Sequence, residues 1–227
     1  MTAVTLCITM GRRPELLAQT LTSLLQHAEF RHVIAINDFR DEPTNAVFQE
    51  LCPTGQLISL DHQLGHHGAV DYLYSQVQTP WVMHCEDDWS FTQNLDFGSL
   101  ASTLTQQPWM SGVCFRSQSD FEISPDDQTK ILHETHGGLA FYRLDPLHSQ
   151  WHGYTFNPHF ASVNLWKRFG PFKSFKKERH ISRRVRQAGL VMPYLVNGGC
   201  VHLGDDQSVS YPKNQERTGL WKWLGWK

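Results

Sequence analysis

The chain has 227 residues, 40% of them hydrophobic, with 20 Lys plus Arg against 22 Asp plus Glu and a formal net charge of −2. That suffices for the core of one α/β domain with a tail, and it leaves no overall basic field of the kind that marks a nucleic-acid binder. No run reaches the length of a membrane span, and the N-terminus lacks a signal peptide's apolar stretch; five widely spaced cysteines without a CxxC pair predict buried, reduced thiols and a cytoplasmic setting.

Val4 to Met10 is an apolar, β-branched run and predicts the first strand, broken by Gly11-Arg12-Arg13. Pro14 suits a first helical turn, and Leu16, Leu17, Thr20, Leu21, Leu24 and Leu25 recur at helical spacing, predicting an amphipathic helix over 14–27. Val33 to Ile36 predicts a second strand ending at Asn37-Asp38, so the chain opens strand, helix, strand, with parallel pairing expected. A short helix over 44–51 and a third strand over Gln56 to Leu60 follow, then a Gly- and His-rich loop, Asp61 to Gly68, and a helix to about Gln78. Trp81 to Cys85 predicts a fourth, buried strand; a helix over 95–106 and a strand over Gly112 to Arg116 come next. Residues 117–130 are polar and predict a mobile surface loop. Ile131 to Leu144 predicts a hairpin turning at His136-Gly137-Gly138, and Phe156-Asn157-Pro158 a turn before a short helix. Glu178 to Ala188 predicts a helix stopped by Gly189, followed by a strand over Leu190 to Leu195 and a short extended piece, Val201-His202-Leu203.

Glu86, Asp87 and Asp88 follow the fourth strand directly, with Trp89 closing the turn. Acids packed this closely repel one another, and partial burial raises their pKa values, so a positive partner is expected there: most simply a hard divalent cation held by carboxylate oxygens. In open α/β sheets the carboxyl ends of the strands are where ligands bind, and a metal there is placed to hold a diphosphate.

These features in this order resemble the family 2-like glycosyltransferases of the GT-A fold, over most of residues 4–205. The first strand with Thr9, then Arg-Pro and a Leu-rich helix, looks like the family's opening, and Asn37-Asp38 like its base-binding acid. Glu86-Asp87-Asp88 looks like its Asp-x-Asp motif in a Glu-Asp-Asp form. Phe169-Gly-Pro-Phe172, then Glu178 and Arg184-Val-Arg-Gln-Ala-Gly189, looks like its acceptor-side segment, and His202 like the histidine that completes the metal site in many members. Two departures stand out. Gly68-Ala69-Val70-Asp71 lacks the arginine usual after the Gly-rich loop, and Lys177-Glu178 offers one carboxylate where the family has Glu-Asp.

The resemblance implies a mostly parallel, mixed Rossmann-like sheet flanked by helices, as a single domain over 1–205 with a Trp/Lys-rich tail over 206–227. It implies metal-dependent, inverting transfer of a sugar from a nucleotide diphosphate sugar, UDP-linked as first guess, to a glycan or lipid-linked acceptor in bacterial surface polysaccharide or lipopolysaccharide assembly. Asp88, His202 and Glu86 are then the candidate ligands of Mn²⁺ or Mg²⁺, with Glu86 and Asp87 also open to nucleotide contacts. Thr9 and Asp38 are placed toward the base, and Arg12, Arg13 and His66 toward the phosphates. Glu178 is the general base.

Each residue also has a plainer reading. The acids can cap a solvated turn, Asp38 can cap its own loop, the arginine pair can be solvated, Glu178 can simply suit a helix N-terminus, and His202 can be structural. His62, His66 and His67 form a thin zinc pattern, and substrate contact suits them better. The basic run Lys176 to Arg186 fits an anionic acceptor or a solvated helix face. The tail from Leu220 to Lys227 alternates Trp and Lys, which suits weak peripheral contact with a membrane or packing on the domain. The rivals are a nucleotidyltransferase on a related α/β fold, for which Gly11-Arg12-Arg13 is a thin phosphate loop, and a non-catalytic carbohydrate-binding domain, which would tolerate loss of Glu178.

Overall fold

A computed structural model describes residues 2–204; the tail expected to touch a membrane lies outside the described residues. The opening is β1 (Val4–Met10), α1 (Pro14–His27), β2 (His32–Asn37), α2 (Glu42–Leu51) and β3 (Gln56–Ile58). Pro14 starts α1, and its Leu17, Thr20, Leu21 and Leu24 stripe is buried. Asp41 caps α2 by accepting from the Thr44 N–H at 3.2 Å.

Next come α3 (His66–Ser75), β4 (Trp81–Glu86), β5 (Trp89–Phe91), α4 (Phe97–Gln106) and β6 (Val113–Cys114). The remainder is α5 (Pro125–Gln128), the hairpin β7 (Leu132–His136) and β8 (Leu139–Arg143), β9 (His159–Ser162), α6 (Val163–Phe169), α7 (Glu178–Gln187), β10 (Tyr194–Leu195) and β11 (Cys200–His202). Gly137 and Gly138 supply the two positive φ angles, 58° and 79°, that the hairpin turn needs.

The main sheet has the order β3-β2-β1-β4-β9-β6-β10-β8-β7, and β5 pairs with β11 in a separate ribbon. The β3-β2-β1-β4 side is parallel throughout; β9 runs against both β4 and β6, and β8 against both β10 and β7. The result is a mixed, mostly parallel sheet flanked by helices. Alternation along β1 divides the core: Val4, Leu6, Ile8 and Met10 pack with the leucines of α1, and Cys7 packs with Ala69, Val70 and Leu73 of α3. All five cysteines are free and buried. Among the described residues no helix is long and apolar enough to cross a membrane.

Four expectations need correction. β9 occupies the middle of the sheet where only a turn and a helix were expected; His159-Phe-Ala-Ser is buried on both faces and shows no alternation to read. Residues 117–130, expected only as a surface loop, carry a 3₁₀ turn and α5, started by the Ser117 and Ser124 hydroxyls. The Gly- and His-rich loop ends sooner than expected, because Gly65 at φ 72° turns the chain directly into α3, placing His66 and His67 in its first turn. The strand expected over Leu190 to Leu195 shrinks to Tyr194–Leu195 plus a single bridge from Val191 to Met110.

Candidate active site

Order reverses between β2-β1 and β4, and the crevice at the carboxyl ends of β1 and β4 is the place such a sheet offers a ligand. Thr9 of β1 stands level with Glu86, the last residue of β4. Gly11 to Arg13 leave β1 and Asp87-Asp88 leave β4, so the two turns meet. Asp87 accepts from the Gly11 N–H at 2.9 Å and from the Arg13 guanidinium, and Arg13 Nη1 also donates to Asp88 Oδ2 at 2.7 Å. These side chains are mostly buried, at 12% exposure for Arg13, 2% for Asp87 and 9% for Asp88. The positive partner expected of a metal is supplied, for Asp87 and for one oxygen of Asp88, by the chain's own arginine.

His202 reaches the site through the ribbon, where it pairs with Trp89. Its Nε2 lies 3.2 Å from Asp88 Oδ2, and its ring is 4.7 Å from the Trp89 ring. The Leu203 N–H donates to the Asp88 carbonyl at 2.8 Å, and Gly204 passes so close that a Cβ there would lie 2.7 Å from Asp88 Oδ2. Asp88 Oδ1 is buried and has no hydrogen-bond partner among the described residues. A buried carboxylate oxygen with no donor is a costly arrangement unless something else binds it, and with the neighbouring imidazole it forms an O,N donor pair suited to a divalent cation. Among the described residues no three His, Cys, Asp or Glu side chains converge on one point as a metal cluster. Glu86 turns instead toward His66, whose Nε2 is 3.9 Å away.

The charges follow from this geometry. Burial, then Asp88, Glu178 and Asp87, raise Glu86 well above the usual carboxylate range. Burial raises Asp87 to about 6 even with Arg13 beside it. Burial pushes Asp88 the same way, but its hydrogen bond with His202 and the charge of Arg13 prevail and leave it low. Asp88 is thus held as an anion, while Glu86 is the member of the trio most strongly driven toward its protonated form. Burial lowers His66 to about 4, so it is neutral at physiological pH.

Glu178 opens α7, close enough for its charge to act on Glu86. Burial raises it to about 7, although the Thr155 hydroxyl and the Phe156 N–H, 3.3 Å from Oε1, favour its anion. It lines a pocket of about 70 Å³ with Phe121, His148, Trp151, Tyr154 and Asn157 among others. Trp166 Nε1 and the N–H groups of Phe172 and Lys173 all donate to Asp71, at 2.7, 2.7 and 2.8 Å, which ties the segment leading to α7 onto α3. Sequence reasoning saw Asp71 only as a missing arginine; its role needs a partner 95 or more residues away.

Arg12 and Asp38 are engaged elsewhere. Arg12, at φ 60°, is exposed and stacks over Phe39 at 4.7 Å. Asp38 uses both oxygens on the Leu64 and Gly65 N–H groups, at 2.7 and 2.8 Å, and so holds the start of α3. Thr9 is buried at the end of β1. His62 pairs with Asp61 and His67 with the Phe175 carbonyl, so the three histidines do not converge as a zinc site.

The family model described as "Glycosyl transferase family 2" matches residues 5–165. No curated protein matches the chain by sequence. Among solved structures, a mannosyltransferase from Pyrobaculum calidifontis in complex with GDP-Man and Mn²⁺ is 12% identical, with a TM-score of 0.60 over 90% of this chain and 58% of that one. S. aureus TarS is 10% identical, with a TM-score of 0.60 over 88% of this chain and 36% of that one. GalNAc-T7 with UDP, GalNAc and Mn²⁺ is 10% identical, with a TM-score of 0.62 over 88% and 43%. The chain therefore spans between about a third and three fifths of these proteins' lengths, and at such identities the likeness is one of fold.

Proposed function

Because the chain belongs to glycosyl transferase family 2, matched over residues 5–165, and so is a glycosyltransferase, we propose that it transfers a sugar with inversion from a nucleotide diphosphate sugar, UDP-linked as first expectation, to a glycan or lipid-linked acceptor. The observation that carries this is the pairing across one crevice of an anionic Asp88 beside His202 with a carboxyl, Glu178, raised to about 7. Asp88 and His202 would hold Mn²⁺ or Mg²⁺, and the orphaned Asp88 Oδ1 fits that assignment. When bound, the ion supplies positive charge against the diphosphate that departs.

The chain's own residues do the rest. Glu178, ionised, takes the proton of the acceptor hydroxyl as its oxygen bonds to the anomeric carbon and the bond to the diphosphate oxygen breaks. Its pKa near neutrality makes it a competent base at physiological pH without holding it permanently charged. Arg13 keeps Asp87 and Asp88 in place and lends charge to the phosphate side of the crevice. Asp38 holds the α3 entry, His66 included, against the same space. Surface polysaccharide assembly at the cytoplasmic face of a bacterial membrane is the setting we assign, on analogy of fold.

Thermal shift with UDP, GDP, their sugar conjugates and nucleoside triphosphates, with and without Mn²⁺, tests the reading. Stabilisation by a nucleoside diphosphate only with metal is expected; a response confined to triphosphates would indicate nucleotidyl transfer instead.

A further inference from the structure

Glu178 is the only carboxylate between Asp145 and Gly204, and it stands among nine lysines and arginines of that stretch, from Lys167 to Arg186. Lys177 is the N-cap of α7, and Arg179 follows Glu178 in its first turn. Cations at a helix N-terminus oppose the macrodipole. Arg179 and Arg183, four apart, are like charges on one face and repel one another. The stability of the helix does not explain this placement.

The ion pairs do not relieve it. Arg13, Arg116, Lys130, Arg143 and Arg186 each pair with a carboxylate, whereas Lys176, Arg179, Arg183 and Arg184 pair with none among the described residues. Arg179 Nε is buried without a hydrogen-bond partner among the described residues. The field is felt nearby: burial and then Arg179, Arg183, Lys177 and Lys176 lower His180, and burial with Arg179 and Arg186 lowers His148, which lines the Glu178 pocket. Arg186 Nη1 pins the pocket wall by donating to the carbonyls of Asp145, His148 and Trp151, at 3.3, 3.2 and 2.8 Å. Glu122 and Asp127 also line the pocket, the latter already paired with Lys130; carboxylates there suit sugar hydroxyls.

We propose that the acceptor is a saccharide bearing a phosphate or carboxylate group, which Arg179 and Arg183 seat at the mouth of the pocket so that a neighbouring hydroxyl meets Glu178. This rests on the reading of Glu178 as the base of glycosyl transfer. An anion at that place would satisfy the unused Arg179 donor and gain from the dipole that the arginines oppose.

The test is an array of oligosaccharides ending in a phosphomonoester or a uronate, beside their neutral parents, probed with the full chain and with an R179Q/R183Q variant. Anionic members should be retained about tenfold or more over neutral ones, with the preference lost in the variant and at high ionic strength. Equal binding of neutral parents, or an unchanged preference in the variant, would overturn the proposal. So would tight binding to anionic phospholipid vesicles with no discrimination among the saccharides, which would make the patch a membrane-facing surface. Stabilisation by UDP or GDP with Mn²⁺ is read on the same preparations. Its absence would count against glycosyl transfer, while the array alone decides the charge of the acceptor.

Discussion

Replacing Glu178 by Gln should make the protein more stable above neutral pH while removing its activity. In the unfolded chain the carboxyl ionises near 4.5; in the folded one burial raises it to about 7. Between those values the folded state keeps a proton that the unfolded state has lost. The contribution of Glu178 to stability is therefore fully present below about pH 4.5 and declines as pH rises through 7, by roughly 3 kcal/mol as an upper bound. Gln has no such loss and can still accept from the Phe156 N–H through its amide oxygen. Asp87, raised to about 6, adds a similar decline, but both proteins share it and it cancels in the difference. Urea or thermal unfolding at pH 5 and pH 8 reads the effect. The variant should gain little at pH 5 and up to roughly 3 kcal/mol at pH 8, about 6–12 °C for a chain of this size. Transfer activity should fall about 10²–10⁴-fold. A stability difference that is the same at both pH values, or activity that survives the change, would refute the assignment.

Asp71→Ala strands three donors, Trp166 Nε1 and the Phe172 and Lys173 N–H groups, and should cost roughly 3 kcal/mol or more in urea unfolding, with Asp71→Asn between; an unchanged midpoint would show that the staple adds nothing. Gly204→Ala puts a Cβ against the Asp88 carboxylate and should weaken Mn²⁺ binding in the presence of UDP about 10–100-fold by electron paramagnetic resonance titration; unaltered affinity would remove Asp88 from the metal site. Asp38→Ala frees the Leu64 and Gly65 N–H groups, so hydrogen exchange there should speed up, with about 1–2 kcal/mol lost. Protection equal to the parent protein would leave Asp38 free for the base instead.

Local signals were legible wherever they were strong. The β-branched run of β1, the proline and leucine stripe of α1, the paired glycines of the β7–β8 hairpin and the acids after a buried strand each carry their own periodicity or turn chemistry. β9 carries none, because a four-residue strand buried on both faces offers no pattern. Glu178 was legible as a candidate, but its pKa was not, since that depends on Thr155, Phe156 and Arg116 and on how deeply the folded chain buries the carboxyl.

What the sequence alone determined is the inventory: three acids at the end of β4, an arginine pair after β1, one carboxylate in a basic stretch, and a late histidine. Tertiary structure decided which of these meet. Parallel pairing of β1 with β4 brings Arg13 to Asp87 and Asp88 across more than 70 residues, and the β5–β11 ribbon returns His202 across 114. It also turned Arg12 away and spent both oxygens of Asp38 on backbone N–H groups. The reason is that residue type sets what a side chain can bind, whereas strand order and burial set which partner lies within reach and which charge state survives there.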